Sequence, residues 1–163
     1  MFGPLAKIHD RAAFDCGVPE LNNFLKTKAR QYERRNLAKT FVASPAEDPS
    51  QIAGFYSLSM NCVDFISLPD DIAHKLPQHP LPAALIGRLA VNQRAGGLGL
   101  GGLLLMDAFR QVLRASEKVA CAAVLVEAKN EAAKAFYLHF GFIPFADRPN
   151  SLFLPIKTIQ QLL

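Results

Sequence analysis

The stretch AVNQRAGGLGLGG, residues 90–102, contains five of the ten glycines of this 163-residue chain. A short apolar run, ALIGRLAV, leads into it, and the helical pattern LLLMDAFRQVLRA follows it. Each glycine costs backbone entropy on folding, so such a cluster indicates either a very tight turn or a ligand that needs bare main chain. A glycine-rich turn between a strand and a helix N-terminus binds anions, because free N–H groups and the helix dipole point at the ligand. The stretch therefore predicts phosphate or pyrophosphate binding.

Two well-known phosphate motifs do not account for these glycines. A Walker A loop needs Lys-Ser or Lys-Thr after its last glycine, and neither follows here. Gly97, Gly99 and Gly102 do match the dinucleotide pattern Gly-x-Gly-x-x-Gly, which also requires an acidic residue about 20 positions later and several more βα units. The acid at the end of the next predicted strand, Glu127, comes too late, and too little chain remains after it for a full dinucleotide fold.

A third pattern, Arg/Gln-x-x-Gly-x-Gly/Ala, fits the stretch in two registers. Counted from Leu-Ala-Val, its three positions fall on Gly96, Gly99 and Gly101, which places the following leucines in the helix. Arg94, Gly97 and Gly99 satisfy it two residues earlier. We prefer the first register, although it puts a glycine where the pattern has a long side chain.

LAVNQRAGGLGLGGLLL, residues 89–105, resembles motif A of the GNAT acetyltransferases, the strand, loop and helix that hold acetyl-CoA. NEAAKAFYLHFGF resembles their motif B, with Asn130 opening a helix and Tyr137 four residues before Gly141-Phe142. This resemblance implies that Tyr137 acts as a general acid toward the CoA sulfur; the alternative is a core tyrosine whose hydroxyl is tied to the backbone. The cofactor contacts that it implies are Leu89, Ala90, Val91, Arg94, Gly96, Gly97, Leu98, Gly99, Leu100, Gly101, Gly102, Asn130, Ala133 and Phe136.

Segments in the N-terminal part of the chain resemble one particular group within the GNAT family. FDCGVPELNNFLKTKARQ, AKTFVAS, IAGFYSLS and GRLAV together resemble the TacT-like toxins of bacterial toxin–antitoxin modules. That group implies direct acetyl transfer, in a ternary complex, to the α-amino group of an aminoacyl-tRNA, which blocks translation. It also implies a ribbon-helix-helix antitoxin as partner and a homodimer. A GNAT enzyme acting on a small amine or a protein amino group, and a non-catalytic CoA-binding module, stay open as alternatives.

The positive charge of the chain is concentrated in one segment. Residues 20–40 hold six basic and two acidic residues, so the whole net charge of +4 lies there. A concentrated positive field attracts polyanions and gives affinity without sequence reading. A solvated helix face and a site for an acidic antitoxin tail are the alternatives. The residues predicted to contact tRNA are Lys26, Lys28, Arg30, Arg34, Arg35 and Arg88, of which Arg88 is also a candidate for CoA phosphates.

Hydrophobic periodicity predicts one mixed α/β domain over residues 1–163, and the GNAT resemblance implies a central, mostly antiparallel mixed sheet, splayed at the cofactor site and flanked by helices. We expect the phenylalanines Phe2, Phe55, Phe65 and Phe153 to be core, the alternative being a dimer or antitoxin surface. The predicted elements are strand 4–10, a helix from Pro19 to Arg35, a hairpin of strands 38–44 and 51–65, a proline-rich loop 67–82, strand 83–91, helix 100–115, strand 119–128, helix 130–140, and strands 142–145 and 151–156.

Composition excludes several other classes of protein. Three widely separated cysteines indicate reduced thiols in a cytoplasmic protein, and the scattered histidines make a metal site improbable. No apolar run reaches the roughly 18 residues of a membrane span, and the first residues lack the order of a signal peptide. We therefore expect no membrane association and no metal.

Overall fold

The computed structural model describes residues 1–64, 69–73 and 80–163. Its strands are β1 (Phe2–Pro4), β2 (Lys39–Ala43), β3 (Gly54–Val63), β4 (Leu81–Val91), β5 (Ala123–Glu127), β6 (Ile143–Pro144) and β7 (Ser151–Pro155). Hydrogen bonds order them β1-β2-β3-β4-β5-β7-β6 in one sheet, and the pairs β1–β2, β2–β3, β5–β7 and β6–β7 are antiparallel. The predicted mixed α/β fold with a mostly antiparallel sheet is confirmed.

Helices alternate with these strands, and two of their starts were marked in the sequence. Pro19 stands at the first position of α1, and the side chain of Asn130 caps α5 by accepting a 2.8 Å hydrogen bond from the Ala133 amide. The helices are α1 (Pro19–Asn23), a π-helical turn (Phe24–Lys28), α2 (Ala29–Arg34), α3 (Asp70–Ala73), a 3₁₀ turn (Gln93–Ala95), α4 (Leu100–Ser116), α5 (Glu131–His139) and α6 (Ile156–Leu162).

The N-terminal strand differs from its prediction. The predicted strand 4–10 is wrong, because β1 ends at Pro4 and the chain then closes a turn. In that turn the Ala6 amide donates to His9 Nδ1 at 2.9 Å, and the His9 amide donates back to the Ala6 carbonyl at 3.1 Å.

Contacts divide the chain into two compact units, and the first comprises Met1–Ser59 and Ile86–Phe109. Its core is aromatic: the fully buried Phe55 of β3 meets Phe14 edge-on at 5.3 Å and stacks on Phe24 at 6.2 Å. Tyr56, one residue further along β3, donates a 2.5 Å hydrogen bond to the buried Asp107 of α4. The helical segment before β2 and the middle of α4 are therefore both held to β3.

The second unit comprises Met60–Leu85 and Arg110–Leu163. In it β5 pairs with β7 from Ala123 opposite Pro155 to Glu127 opposite Ser151. Phe153 of β7 is buried and packs on Phe145 with 4.9 Å between ring centroids. The other buried residues of this cluster are Val63, Leu81, Ala83 and Leu125.

The four phenylalanines have different outcomes. Phe55 and Phe153 are core residues as predicted, whereas Phe2 is 40% exposed, so its core prediction is wrong. Phe65 lies outside the described residues, as does much of the predicted loop 67–82, whose described part contains α3 and the start of β4. The single domain over residues 1–163 stays a prediction.

Candidate active site

The base of the glycine loop, residues 92–96, is fixed from two sides within the first unit. The Asn92 amide donates to the Ala53 carbonyl at 2.8 Å, and the Gln93 amide donates to the Asp15 carbonyl at 2.9 Å. The Asn92 side chain accepts from the Arg94 amide at 3.1 Å, which closes the 3₁₀ turn. The main chain therefore enters the glycine-rich part from a rigid support.

The apex of the glycine loop, residues 97–99, carries only one side chain, that of Leu98. Gly97 and Gly99 have φ angles of +79° and +74°, in the left-handed region that favours glycine. Apart from the chain neighbours, none of the described residues has a heavy atom within 4 Å of a Cβ built on either one. Gly99 is shared by both registers of the predicted motif. The open space beside these two glycines therefore leaves the main chain accessible to a ligand.

Directly after the apex, α4 begins at Leu100 and has no acidic residue in its first turn. The first amides of a helix lack intrahelical acceptors, and the positive end of the dipole lies there. Across the described ranges, the amides of residues 97–102 donate no hydrogen bond. Free amides, open space and the helix N-terminus together fit a diphosphate group.

The remaining predicted cofactor residues fall into the two units. In the first, Ala90 is buried, Leu89 and Val91 are half-buried, and Arg94 and Leu98 are exposed. In the second, Asn130 is exposed and spends its side-chain oxygen on the α5 cap, so that only its NH₂ group remains to meet a ligand. The structure brings the residues from Leu89 to Gly102 together on one strand and loop. Their roles toward acetyl-CoA stay predictions.

Sequence reasoning missed a cavity of about 440 Å³ beside the loop. Asn92, Arg94, Ala95 and Leu98 line it on the loop side, and the 45–53 segment, predicted only as a turn and the start of a strand, lines much of the rest. Its carboxylates come from Asp10, Glu47 and Asp48. No spacing in the sequence relates these acids to the glycines, because only the folded chain brings the segment after β1, the hairpin turn and the loop together.

Tyr137 lies on α5 in an aromatic cluster of the second unit. It is 7% exposed, and its ring meets Phe136 at 5.2 Å and Phe142 at 5.3 Å. Burial raises the pKa of Tyr137 to about 12, so the phenol keeps its proton at neutral pH. Within the part of the chain that the structure describes, its hydroxyl makes no hydrogen bond, so it is not tied to the backbone there and is available as a donor.

The basic segment is interrupted by the π-helical turn. The Ala29 amide donates to the Phe24 carbonyl five residues back, so the predicted helix from Pro19 to Arg35 is helical to Arg34 but is not a regular α-helix. An extra residue in the turn shifts Lys26 relative to Arg30, and the guanidinium of Arg30 donates to the Leu5 carbonyl at 3.3 Å. The four exposed cations of the predicted tRNA surface are Lys26, Lys28, Arg34 and Arg35.

Arg88, the last predicted tRNA residue, lies on β4 against this segment. Its guanidinium carbon sits 3.7 Å from the centre of the Phe24 ring and 5.6 Å from that of Tyr32. Partial burial lowers the pKa of Arg88, and none of the described carboxylates pairs with it. The aromatic faces hold the cation in place and leave guanidinium donors for an anion.

The described residues offer no candidate metal site and no candidate membrane span. None of their groups of histidine, cysteine, aspartate or glutamate is arranged to hold a metal ion. None of their helices is long and apolar enough to cross a membrane.

Comparison with known proteins gives matches over nearly the whole chain. The family model described as "Acetyltransferase (GNAT) family" matches residues 7–142. A protein of Sinorhizobium fredii named "Probable toxin TacT" is 32% identical over 163 residues, covering 95% of this chain and 90% of that protein. A Mycobacterium tuberculosis protein named "tRNA-acetylating toxin" is 31% identical, covering 94% and 90%.

Solved structures match equally well. AtaT complexed with acetyl-methionyl-tRNAfMet superposes with a TM-score of 0.92 at 32% identity, over 99% of this chain and 98% of that one. A tyrosine-to-phenylalanine mutant of AtaT, bound to the C-terminus of the antitoxin AtaR and to acetyl-CoA, superposes with a TM-score of 0.85 at 30% identity, over 99% and 96%.

Proposed function

The chain belongs to the GNAT acetyltransferase family, and from this premise we propose that it is a toxin that acetylates the α-amino group of aminoacyl-tRNA and so blocks translation. The proposal rests above all on the whole-chain similarity to AtaT in complex with acetyl-methionyl-tRNAfMet. The relative named as a tRNA-acetylating toxin supports the same acceptor.

The glycine loop is the proposed site of the acetyl-CoA diphosphate. Its unpaired amides at residues 97–102 donate to the phosphate oxygens, and the N-terminus of α4 adds the favourable end of its dipole. In addition, Leu89 and Val91 hold the pantetheine arm through their main-chain amides, and Asn130 contacts CoA through its remaining NH₂ group. These residues bind and orient the donor and take no part in bond breaking.

The transfer itself needs little acid–base help on the acceptor side. An α-amine has a pKa of about 8, so a useful fraction carries a free lone pair at neutral pH. The nitrogen attacks the thioester carbonyl carbon, the carbon–sulfur bond breaks with its electron pair on sulfur, and the nitrogen loses a proton to solvent. Direct attack in a ternary complex accounts for the product without a covalent enzyme intermediate.

Tyr137 is the proposed donor to the departing sulfur. A thiol has a pKa of about 8.5, well below the pKa of about 12 that burial gives Tyr137. Complete proton transfer from Tyr137 to the thiolate in one step is therefore energetically uphill. The hydroxyl therefore stabilises the thiolate mainly by a charge-assisted hydrogen bond as negative charge develops. The leaving group takes up its proton from the surrounding water afterwards.

The exposed cations Lys26, Lys28, Arg34 and Arg35 are the proposed contacts to the tRNA phosphates. Arg88 presents its free donors next to them and adds a fixed anion contact. Contacts of this kind position the acceptor without reading its sequence.

The proposed partners follow the relatives. AtaT is solved with the C-terminus of the antitoxin AtaR, and we propose an antitoxin of the ribbon-helix-helix class for this chain, a homodimeric state and a cytoplasmic location. No metal and no membrane take part in the proposed activity.

Incubation with radiolabelled acetyl-CoA and total charged tRNA tests the function. We expect label in the tRNA fraction and its release as an N-acetyl amino acid after mild alkaline hydrolysis, which also identifies the preferred residue. Uncharged tRNA is the matched control and stays unlabelled. Label found only on small amines or on protein contradicts the acceptor, and acetyl-CoA binding without any transfer favours a non-catalytic CoA-binding module.

A further inference from the structure

The FDCG stretch, residues 14–17, folds into a tight turn with no role in the chemistry proposed above. Gly17 has a φ of +85°. One carboxylate oxygen of Asp15 accepts from the Gly17 amide at 2.8 Å and from the Asn22 side chain at 2.9 Å. Asn22 in turn accepts from the Cys16 amide at 2.9 Å. The turn is thus a closed set of hydrogen bonds whose conformation depends on a glycine.

The glycine also leaves room for one neighbour, Gln93 of the loop base. A Cβ built on Gly17 lies 2.5 Å from Gln93 Nε2 and 3.3 Å from Gln93 Cδ. At the main chain, the Gln93 amide donates to the Asp15 carbonyl at 2.9 Å. The turn therefore holds the Gln93 main chain by a hydrogen bond, and its glycine leaves the space that the Gln93 side chain occupies.

Gln93 connects the turn to the acetyl-CoA loop. Its carbonyl accepts from the Gly96 amide at 3.2 Å, one residue before the first left-handed glycine. On the opposite side, Asn92 is bonded to Ala53 and Ile52. The loop base is therefore held by hydrogen bonds on two sides, and the apex with its free amides follows directly after it in the chain.

We propose that Gly17 is a positioning residue for acetyl-CoA binding: the turn that it permits fixes Gln93 and thereby presets the loop amides for the diphosphate. The inference rests on the donor site of the proposed function. A preset loop loses less conformational freedom on binding, so disturbing the turn lowers donor affinity without touching the groups that meet the ligand.

The test is Gly17→Ala, with acetyl-CoA affinity measured by titration calorimetry and kinetics measured for both substrates. The flexible end of Gln93 can move aside, so we expect the variant to fold. We expect Kd and KM for acetyl-CoA to rise about tenfold, while kcat at saturating acetyl-CoA and KM for aminoacyl-tRNA stay within about twofold. Gly3→Ala is the matched control, because beyond its chain neighbours no atom of the described part of the chain lies within 4 Å of its built Cβ.

A double-mutant cycle with Asp15→Ala tests the route of the effect. If Gly17 acts through the turn that holds the Gln93 main chain, adding Gly17→Ala to Asp15→Ala weakens acetyl-CoA binding little further, whereas independent effects multiply. Asp15→Ala disturbs the same turn from an exposed position and is expected to weaken acetyl-CoA binding in the same direction, also where Gly17→Ala does not fold.

Wild-type acetyl-CoA affinity in the folded Gly17→Ala and Asp15→Ala variants, or multiplicative effects in the cycle, overturns the inference. These affinity measurements report binding of the donor, acetyl-CoA, so they do not depend on which acceptor the enzyme uses. A wild-type protein that binds acetyl-CoA but labels no tRNA contradicts the proposed function and leaves the positioning result intact.

Discussion

The glycine loop and the Tyr137 cluster offer a ligand hydrogen-bond donors of opposite kinds. At Gly97 and Gly99 the chain removes side chains and turns its main chain toward open space. At Tyr137 it buries one ionisable side chain among aromatic rings and leaves a single hydroxyl without a partner among the described residues. The loop offers many weak donors, whereas the cluster offers one donor in a poorly solvated place.

The difference indicates where each region is sensitive to mutation. The binding that we propose at the loop depends on the absence of a Cβ and on backbone angles, so we expect the cost of a substitution there to fall mainly on donor affinity. The chemistry that we propose at the cluster depends on one oxygen atom, so we expect its removal to lower turnover. The two regions can therefore be separated by measuring affinity and kcat in the same variants.

The largest effect is expected from Tyr137→Phe. Loss of the hydroxyl removes the hydrogen bond to the departing thiolate, so kcat falls by ~10²-fold or more while the Kd for acetyl-CoA stays nearly unchanged. Steady-state kinetics and calorimetry on the same preparation measure the two quantities. An unchanged kcat removes Tyr137 from the mechanism, and an equal loss of affinity assigns it to binding instead.

A smaller effect is expected from Gly99→Ala. A side chain at a φ of +74° costs roughly 1–2 kcal/mol per residue, and relief of that strain moves the loop away from its binding geometry. We expect acetyl-CoA affinity to fall about tenfold, since about 1.4 kcal/mol corresponds to a factor of ten. Calorimetry measures the affinity, with Gly3→Ala as the control. Unaltered affinity places the diphosphate elsewhere.

Neutralising the exposed cations extends the comparison to a third region. Replacing Lys26, Lys28, Arg34 and Arg35 by glutamine is expected to raise KM for aminoacyl-tRNA about fivefold at low salt and to flatten its salt dependence, because fewer counterions are released on binding. Glutamine at four other exposed basic positions, Lys7, Arg114, Lys118 and Lys157, is the control for the loss of four charges. If the two sets of substitutions have equal effects, the four predicted cations act only through the net charge of the protein and are not specific tRNA contacts.

The smallest effect concerns the pH profile. The rate should rise up to about pH 8 as the acceptor amine loses its proton and then stay level, because burial holds the pKa of Tyr137 at about 12 and the phenol remains protonated. Initial rates between pH 6 and 9.5, with an amide-linked aminoacyl-tRNA analogue that resists hydrolysis, measure this. A decline above pH 8.5 that Tyr137→Phe abolishes would show that the phenol loses its proton in this range, which contradicts the high pKa of Tyr137.

Much of the site was predictable because it depends on local backbone requirements. The glycines of the loop, the start of α4 at Leu100 and the Asn130 cap follow from rules that act over a few residues, and the loop–helix pattern is read directly from the sequence. The hairpin of β2 and β3 was predictable for the same reason, since its strands are separated by a proline-rich turn.

Other features depend on tertiary contacts that no local pattern announces. The π-helical turn consists of ordinary helix formers, and what distinguishes it is the packing of Phe24 on Phe55 and under Arg88. The cavity beside the loop gathers Asp10 and Glu47 from separate segments. The helix α6 directly follows β7 and was not predicted, since the predicted strand 151–156 reaches only its first residue, Ile156.

The π-helical turn at Phe24–Lys28 has a geometric consequence for variants of this segment. It holds one residue more than a regular α-helix would need to connect the same endpoints. Deleting one residue there, the exposed and uncharged Thr27, lets the helix wind regularly between the same endpoints, and Lys26 and Lys28 then change position relative to Arg34 and Arg35. A shortened chain of this kind would keep its total charge and its core and still present a different charged surface to a polyanion.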